Sequence, residues 1–396
     1  MFENKSIIIG VSGGIAAYKT AYLVSALSKT EADVNVIMTE NACEFISPLV
    51  FETLTGNKCY VDTFDRNFKF DVEHISLAKK ADIFMIAPAT ANVIAKIANG
   101  IADDMLTTTF LASKCKKIVS PAMNTAMFEN QITQGNIAKL KKYGIGVVEP
   151  QNGLLACGDV GAGKMPEPDF LFDVIEREIA REKDMLGKKV LVTAGATMES
   201  LDPVRFLTNH SSGKMGFAIA KEAMLRGAEV TVVKANTTAE IPNFIKIVEV
   251  SSAKDMFDAV TVLSDQQDII VKAAAVADYT PESYVDSKIK KKDGDLSIPL
   301  KRTMDILKYL GENKKEGQFL CGFSMETDNM LENSKAKLSK KNADMIVANN
   351  LRDAGSGFKT ETNAVTLITR DGHRSLELKS KAEVAKEIFD EILGLI

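Results

Sequence analysis

Tryptophan is absent from this 396-residue chain, and histidine is scarce, with His74, His210 and His373 its only occurrences. Three dispersed imidazoles do not make a histidine-built metal cluster. The five cysteines, Cys43, Cys59, Cys115, Cys157 and Cys321, are odd in number, scattered, and include no CxxC pair. That pattern fits neither a disulfide framework nor a structural zinc site. No apolar run approaches the roughly 18 residues of a membrane helix. The opening MFENKSIIIGVSGG enters a strand-like run directly, without the basic region and long apolar core of a secretion signal. A cytoplasmic location with no membrane partner is therefore expected. Charge of one sign is also missing, since 49 basic residues face 53 acidic ones for a net −4. A nucleic-acid polyelectrolyte binder needs a basic excess, so small-molecule partners are expected instead.

What remains is an ordinary globular composition, 45% hydrophobic and 26% charged. The length suits two or three domains, and each half can bury its own core. Short apolar runs at Ser6–Val11, Val34–Met38, Ile83–Ala87, Lys117–Ser120 and Gly146–Val148 read as buried strands. Helical patterns lie between them, among them Ala16–Ser28, Ala91–Ala98 and Gly135–Tyr143. The alternation predicts a parallel sheet with helices on both faces. It breaks at Gln151–Pro168, a Gly- and Pro-rich stretch that reads as one long irregular loop. A helix at Phe170–Arg181 and a charged linker, Arg181–Lys189, follow.

A second start comes at Lys189, where KKVLVTAGAT repeats the strand-then-glycine logic of KSIIIGVSGG. Helix Lys214–Arg226, strand Glu229–Val233, helix Ala253–Ser264 and strand Asp268–Lys272 continue the alternation. Strand Gln318–Phe323, helix Asn329–Lys341, strand Asp344–Ala348 and a hairpin over Ala364–Leu378 turned at Asp371-Gly372 come next. A final helix spans Lys381–Leu393. The fold class is α/β, with two doubly wound, Rossmann-like parallel-sheet domains expected over 1–187 and 188–396.

In the first half, Gly10-Val-Ser-Gly-Gly-Ile15 joins a strand to a helix, with Gly13 and Gly14 at the turn. Such glycines let backbone N–H groups approach a phosphate, although a plain strand–helix turn looks the same and GxGxxG is absent. Other strand ends carry Thr39, Pro88-Ala-Thr-Ala-Asn92 and Pro121-Ala-Met-Asn124. Ligands of doubly wound sheets sit there, and this set suits one flat phosphorylated mononucleotide. His74, Asn124 and Cys157 each have a bland reading: a structural imidazole, a helix cap, an inert thiol.

GGIAAYK (13–19), PATAN (88–92), ADDML (102–106), PAMNTAMF (121–128) and ACGDVGAGKM (156–165) occur in that order. Together they resemble the flavin-containing cysteine decarboxylases that act on phosphopantothenoylcysteine, a flavodoxin-like family. Phe128 stands where that family usually has Trp or Tyr, and Lys164 where its flap usually has Arg. The lysine cannot make the planar two-pronged contacts of a guanidinium. The resemblance implies FMN held by Gly13, Gly14, Ile15, Thr39, Thr90, Ala91, Asn92 and Ala122. It implies His74 as base, Asn124 on the substrate carboxylate and Cys157 as proton donor. The flavin answers a chemical difficulty: oxidising the thiol-bearing carbon first creates an electron sink for the loss of CO₂.

In the second half, DPVRFLTNHSSGKMG (202–216) places Asn209, Ser211, Ser212, Gly213 and Lys214 at a helix start. That is an anion site or a capped helix, and no P-loop is present. Lys272-Ala-Ala-Ala-Val-Ala-Asp-Tyr279 ends a strand, and Ser287-Lys-Ile-Lys-Lys-Lys292 is a basic run that composition alone assigns to a solvated face. These motifs resemble the phosphopantothenate–cysteine ligases. The resemblance implies CTP with Mg²⁺, held at Asp278, Lys288, Met304, Asp305, Ile306, Leu307, Phe323, Lys337 and Lys341. It implies phosphopantothenate at Ser211, Ser212, Gly213 and Lys214. Lys288 neutralises the triphosphate and Asn209 serves the acyl-nucleotide intermediate. No dedicated metal site among the side chains is expected, Mg²⁺ riding on the phosphates. The resemblance further implies a homo-oligomer, a dodecamer of decarboxylase trimers and ligase dimers. A dinucleotide oxidoreductase and a non-enzymatic flavin-binding subunit are the alternatives. The missing GxGxxG speaks against the first, and the presence of His74, Asn124 and Cys157 against the second.

Overall fold

The computed structural model describes residues 2–64, 73–156, 158–290, 297–326, 329–350 and 360–396. It divides into two compact units, Met1–Arg181 and Glu182–Ile396. The charged segment predicted as a linker, Arg181–Lys189, belongs with the second unit from Glu182 on. Met185 there is fully buried, its N–H bonds Arg226 O at 3.0 Å, and Lys183 Nζ bonds Leu225 O at 2.6 Å.

The first unit is built on strands β1 (Ser6–Val11), β2 (Asp33–Met38), β3 (Cys59–Tyr60), β4 (Ile83–Ala89), β5 (Lys116–Pro121) and β6 (Gly146–Val147). They form one sheet of order β3-β2-β1-β4-β5-β6, every pair parallel. All six residues of β1 are buried, which explains a continuous apolar run where a half-exposed strand would alternate. One face packs Ile8, Ile37, Phe84, Ile86 and Val119 against Val93, Ile97, Leu106, Phe110 and Leu140 from the helices, with Phe84 and Phe110 edge-to-face at 5.1 Å.

The stretch predicted as irregular contains an antiparallel hairpin, β7 (Gln151–Leu154) and β8 (Val160–Lys164). Its two short, glycine-bearing strands satisfy each other's backbone rather than joining the main sheet, so no hydrophobic period marks them.

The second unit holds β9 (Lys189–Ala194), β10 (Met198–Ser200), β11 (Phe206–Thr208), β12 (Glu229–Lys234), β13 (Lys246–Glu249), β14 (Ile269–Lys272), β15 (Tyr279–Pro281) and β16 (Leu300–Arg302). After them come β17 (Phe319–Glu326), β18 (Met345–Asn350), β19 (Thr362–Asn363), β20 (Val365–Thr369) and β21 (His373–Ser375). The main sheet runs β13-β12-β9-β14-β17-β18-β20-β21. It is parallel through β18 and antiparallel beyond it. The predicted hairpin is the pair β20–β21, closed by Thr369 N–H on Gly372 O at 3.0 Å. Ser252 and Ser380 start their helices with reciprocal capping boxes. The fold class read from the sequence, α/β with two doubly wound sheets, is the observed one.

Candidate active sites at the strand ends

In both sheets the first strand of the unit lies centrally and the chain crosses to opposite sides of it. The crevice beyond the carboxyl ends of β1 and β4, and that beyond β9 and β14, are therefore the places for ligands.

In the first unit this crevice is a cavity of about 950 Å³. The predicted cofactor residues Gly13, Gly14, Ile15, Thr39, Thr90, Ala91, Asn92 and Ala122 all line it, and so does Asn124. The sequence folds this way because short polar side chains are spent on helix starts. Thr39 accepts from Ala42 N–H, Thr90 from Val93 N–H, Asp104 from Thr107 N–H and Asn124 from Ala126 N–H. Ser12, fully buried, is a stitch between loops: its hydroxyl donates to Pro88 O at 2.7 Å and accepts from Thr90 N–H at 3.0 Å. A Cβ added at Gly13 would lie 2.5 Å from Asn41 Cβ, so the turn tolerates only glycine in this packing. The same glycine turn lines the cavity beside the start of the helix Ala17–Leu27, a place where backbone N–H groups can meet a phosphate.

Across the cavity, the hairpin is fastened to the PAMN loop. Met123 N–H bonds Gly163 O at 3.1 Å, and Asn124 Nδ2 donates to Asp159 Oδ2 at 2.9 Å. Asn124 caps a helix with its oxygen, the blander of its two readings, and gives its amide to Asp159 on the hairpin. Lys19 is the last residue of the GGIAAYK motif. Its buried ammonium donates to Met165 O at 3.2 Å and to Glu167 Oε1 at 2.8 Å, at the root of β8. That ion pair holds the Glu167 carboxyl below its ordinary range. Lys164 lines the cavity and pairs with Glu167 at 3.4 Å. His74 sits half-buried in the helix Glu73–Lys80 and is not among the described residues that line the cavity. Cys157 lies outside the described residues, although its neighbour Ala156 lines the cavity.

In the second unit the strand ends gather charge. Lys272, at the end of β14, has its ammonium pulled down to about 8, first by burial and next by Lys337, with Lys341 adding and Asp305 and Asp278 opposing. Lys337 Nζ donates to Phe323 O at 2.9 Å, and Lys341 is ion-paired with Asp305. Asp305 also caps the helix Ile306–Glu312, accepting from Lys308 N–H at 2.9 Å. The Lys341 ion pair and the capping hydrogen bond outweigh burial and leave its carboxyl below the ordinary range. The side chains of Ile306 and Leu307 are buried in the core, while Met304 is exposed. Asp278 is tied through its carbonyl, which accepts from Thr303 N–H at 3.0 Å, just ahead of Met304. Lys272 is the charged member that reading the motif left unassigned; its position as the last residue of a central strand was the available signal.

Asn209 Nδ2 donates to Ala275 O at 3.3 Å, which brings the NHSSGK run onto the loop after β14. Gly213, with φ of +80°, starts the helix Lys214–Leu225, and a Cβ there would meet Thr237 Oγ1 at 2.4 Å. Ser211 Oγ accepts from Gly213 N–H at 3.3 Å, Ser212 O accepts from Thr237 Oγ1 at 2.7 Å, and Lys214 is ion-paired with Glu361. Lys288 is exposed, in the segment between β15 and β16.

Comparison with known proteins covers the whole length. Residues 1–180 match the family described as Flavoprotein, and residues 185–395 the family described as DNA/pantothenate metabolism flavoprotein C-terminal domain. The coenzyme A biosynthesis bifunctional protein CoaBC of Bacillus subtilis (strain 168) is 46% identical over 399 residues, covering 100% of this chain and 98% of the relative. That of Haemophilus influenzae (strain ATCC 51907 / DSM 11121 / KW20 / Rd) is 40% identical, covering 99% of this chain and 98% of the relative. That of Borreliella burgdorferi (strain ATCC 35210 / DSM 4680 / CIP 102532 / B31) is 41% identical, covering 98% of this chain and 99% of the relative.

Proposed function

The chain belongs to the family of coenzyme A biosynthesis bifunctional proteins, and from that premise we propose how its two activities divide between the two units. The second unit joins phosphopantothenate to cysteine at the expense of CTP. The first, holding FMN, decarboxylates the phosphopantothenoylcysteine so formed to phosphopantetheine. The observation that carries this reading is the convergence of eight cofactor candidates and Asn124 on one cavity at the switch point of the first sheet.

The residues present fit a flavin mononucleotide. The cavity lies within the usual range of ligand sites and mixes apolar walls with polar and charged side chains. Gly13, Gly14 and Ile15 bring backbone N–H groups and a helix start to the phosphate end, and Thr39 stands beside them on the cavity wall. Thr90, Ala91, Asn92 and Ala122 wall the ring end. When bound, FMN supplies the two-electron redox chemistry. Asn124 donates its amide to the substrate carboxylate and His74 acts as base. Cys157 gives the final proton from the hairpin. Ile15 and Tyr18 line the cavity yet are about half exposed, so its rim suits cover by a second copy of the chain. A homo-oligomer of this kind, working in the cytoplasm, would bring His74 to the site.

In the second unit, a carboxylate is a poor acyl donor until its oxygen is turned into a leaving group. Attack of the phosphopantothenate carboxylate on the α-phosphorus of CTP forms a mixed anhydride and expels pyrophosphate. The cysteine amine then attacks the acyl carbon, loses its proton and displaces CMP. Lys288, Lys337 and Lys341 spread the phosphate charge, with Mg²⁺ carried by the nucleotide. Asp278, Phe323 and the Met304–Leu307 turn hold the nucleoside, Ile306 and Leu307 through their backbone. Asn209 steadies the acyl intermediate. Ser211, Ser212, Gly213 and Lys214 receive phosphopantothenate, with Lys214 exchanging Glu361 for the phosphate.

Supplying CTP, Mg²⁺, cysteine and phosphopantothenate and following CMP and CO₂ tests both halves. Cys157→Ser stops the sequence before phosphopantetheine with CMP release intact. Lys288→Gln suppresses CMP release and spares decarboxylation of added phosphopantothenoylcysteine. A folded variant that lost both half-reactions would refute the division.

A further inference from the structure

The turn 201–205 closes on itself, with Leu201 N–H on Arg205 O at 2.8 Å. Its Asp202 side chain has no exposed surface, although nothing in the Asp-Pro-Val-Arg sequence marks it as more than a turn former. The two carboxylate oxygens do separate work. Oδ1 accepts from Val204 N–H and Arg205 N–H, both at 2.8 Å, and so builds the turn. Oδ2 accepts from Arg205 Nε at 3.0 Å, from Arg205 Nη2 at 2.6 Å, and from Ile289 N–H at 3.0 Å. Arg205 Nη2 also donates to Ile289 O at 2.8 Å, and Val285 N–H bonds Leu201 O at 3.1 Å. A buried carboxylate and its guanidinium therefore grip Ile289 at both its N–H and its C=O.

The gripped amide is the one that joins Lys288 to Ile289. Fixing it fixes the backbone on the carboxyl side of Lys288. Lys288 and Lys290, both exposed, flank Ile289 with like charges that repel one another. Ordering one of them at the moment of reaction would cost entropy that a preformed clamp removes beforehand. The Arg205 guanidinium, first among the causes, holds the Asp202 carboxyl far below the ordinary range, so the acceptor stays ionised at every working pH.

We propose that Asp202 is a positioning residue of the ligase reaction: through Ile289 it sets the backbone that presents Lys288 to the triphosphate. The proposal rests on the reading of Lys288 given above, and the experiment separates the two. Asp202→Asn is nearly isosteric. It keeps one oxygen for the turn and sets an N–H₂ group against the Ile289 N–H and the guanidinium, donors against donors. Pyrophosphate release from CTP, with phosphopantothenate and cysteine supplied, is measured at steady state, with amide hydrogen exchange over 285–290 and decarboxylation of added phosphopantothenoylcysteine alongside. In Asp202→Asn, kcat for pyrophosphate release falls about a hundredfold, the size expected of a misplaced group, while KM for phosphopantothenate and decarboxylation hold. Exchange over 285–290 rises. In a Lys288→Arg background the same change costs less than about threefold, because the residue it acts through is already altered.

An unchanged kcat in Asp202→Asn overturns the proposal. So does the full hundredfold loss in the Lys288→Arg background, which marks a general structural role. If Lys288→Gln keeps wild-type pyrophosphate release, the reading of Lys288 itself falls and takes the proposal with it. Should Asp202→Asn fail to fold, Asp202→Ser, which also keeps one oxygen for the turn, is carried through the same measurements and judged by the same outcomes.

Discussion

The two units wind their central sheets alike and finish them differently. Beyond β1 and β4, short polar side chains serve as helix caps and a loop stitch, and Lys19, Lys96, Asp103, Asp104 and Lys164 on the cavity wall are drawn into ion pairs with one another or with Glu167. Beyond β9 and β14, lysines and aspartates remain, and the second site is shaped by charge. The difference follows the ligands proposed for each. A planar cofactor that stays bound is held by fit, whereas a triphosphate that arrives and leaves each turnover is held by cations that can let it go.

The comparison breaks most sharply at Gly13. Gly13→Ala places a Cβ 2.5 Å from Asn41 Cβ and 2.9 Å from its carbonyl carbon. Purified protein should come out colourless, with flavin content below about a tenth of wild type. CMP release by the second unit should be untouched. Comparable sensitivity of CMP release would show that the two sites are not independent.

Next in size is Lys19→Met, which removes two hydrogen bonds at the root of the hairpin. Decarboxylation should slow by about tenfold with flavin retained, the worth of one charged hydrogen bond. Loss of flavin instead would make Lys19 part of the cofactor cradle.

In the second unit a single buried cation should leave its mark on the pH profile. Lys272, pulled down to about 8, loses its charge as pH rises through that value. kcat/KM for CTP in ligation should therefore fall severalfold between about pH 7 and 9.5, and Lys272→Met should flatten the profile at its lower level. A profile unchanged by the substitution would remove Lys272 from the site.

The smallest effect concerns stability. Lys379 and Arg374 lower the Glu387 carboxyl to about 2 from 4.5. A depressed carboxylate stabilises the folded state above its unfolded value, and that contribution is lost as pH falls from 4.5 through about 2. Glu387→Gln should lower the melting free energy of the second unit by less than about 1 kcal/mol at pH 6, and by nothing near pH 2.

The central strands were legible because each is buried on both faces, so Ser6–Val11 and Ile83–Ala87 stand out as unbroken apolar runs, the second continuing in the fold to Ala89. The edge was not. Lys246–Glu249 is short and only half-buried, and it follows a polar stretch, so neither alternation nor a buried run announces it. The pairs β10–β11 and β15–β16 were missed for the same reason as the β7–β8 hairpin: each satisfies only its own backbone. At the sites, small residues at strand ends pointed correctly to a cavity, since strand order sends them there. Ser12, Lys19, Lys272 and Asp202 were opaque, because their importance lies in partners distant in sequence. Ile289, which Asp202 holds, is separated from it by 87 positions.

The fastening of the hairpin to the PAMN loop makes one side chain common to both. Met123 N–H and the Asn124 side chain each hold one point of the hairpin, Gly163 O and Asp159 Oδ2. With its oxygen on the Ala126 N–H and its amide on Asp159, Asn124 belongs to a helix start and to the hairpin at once, so a change in either is felt at the same place on the cavity wall.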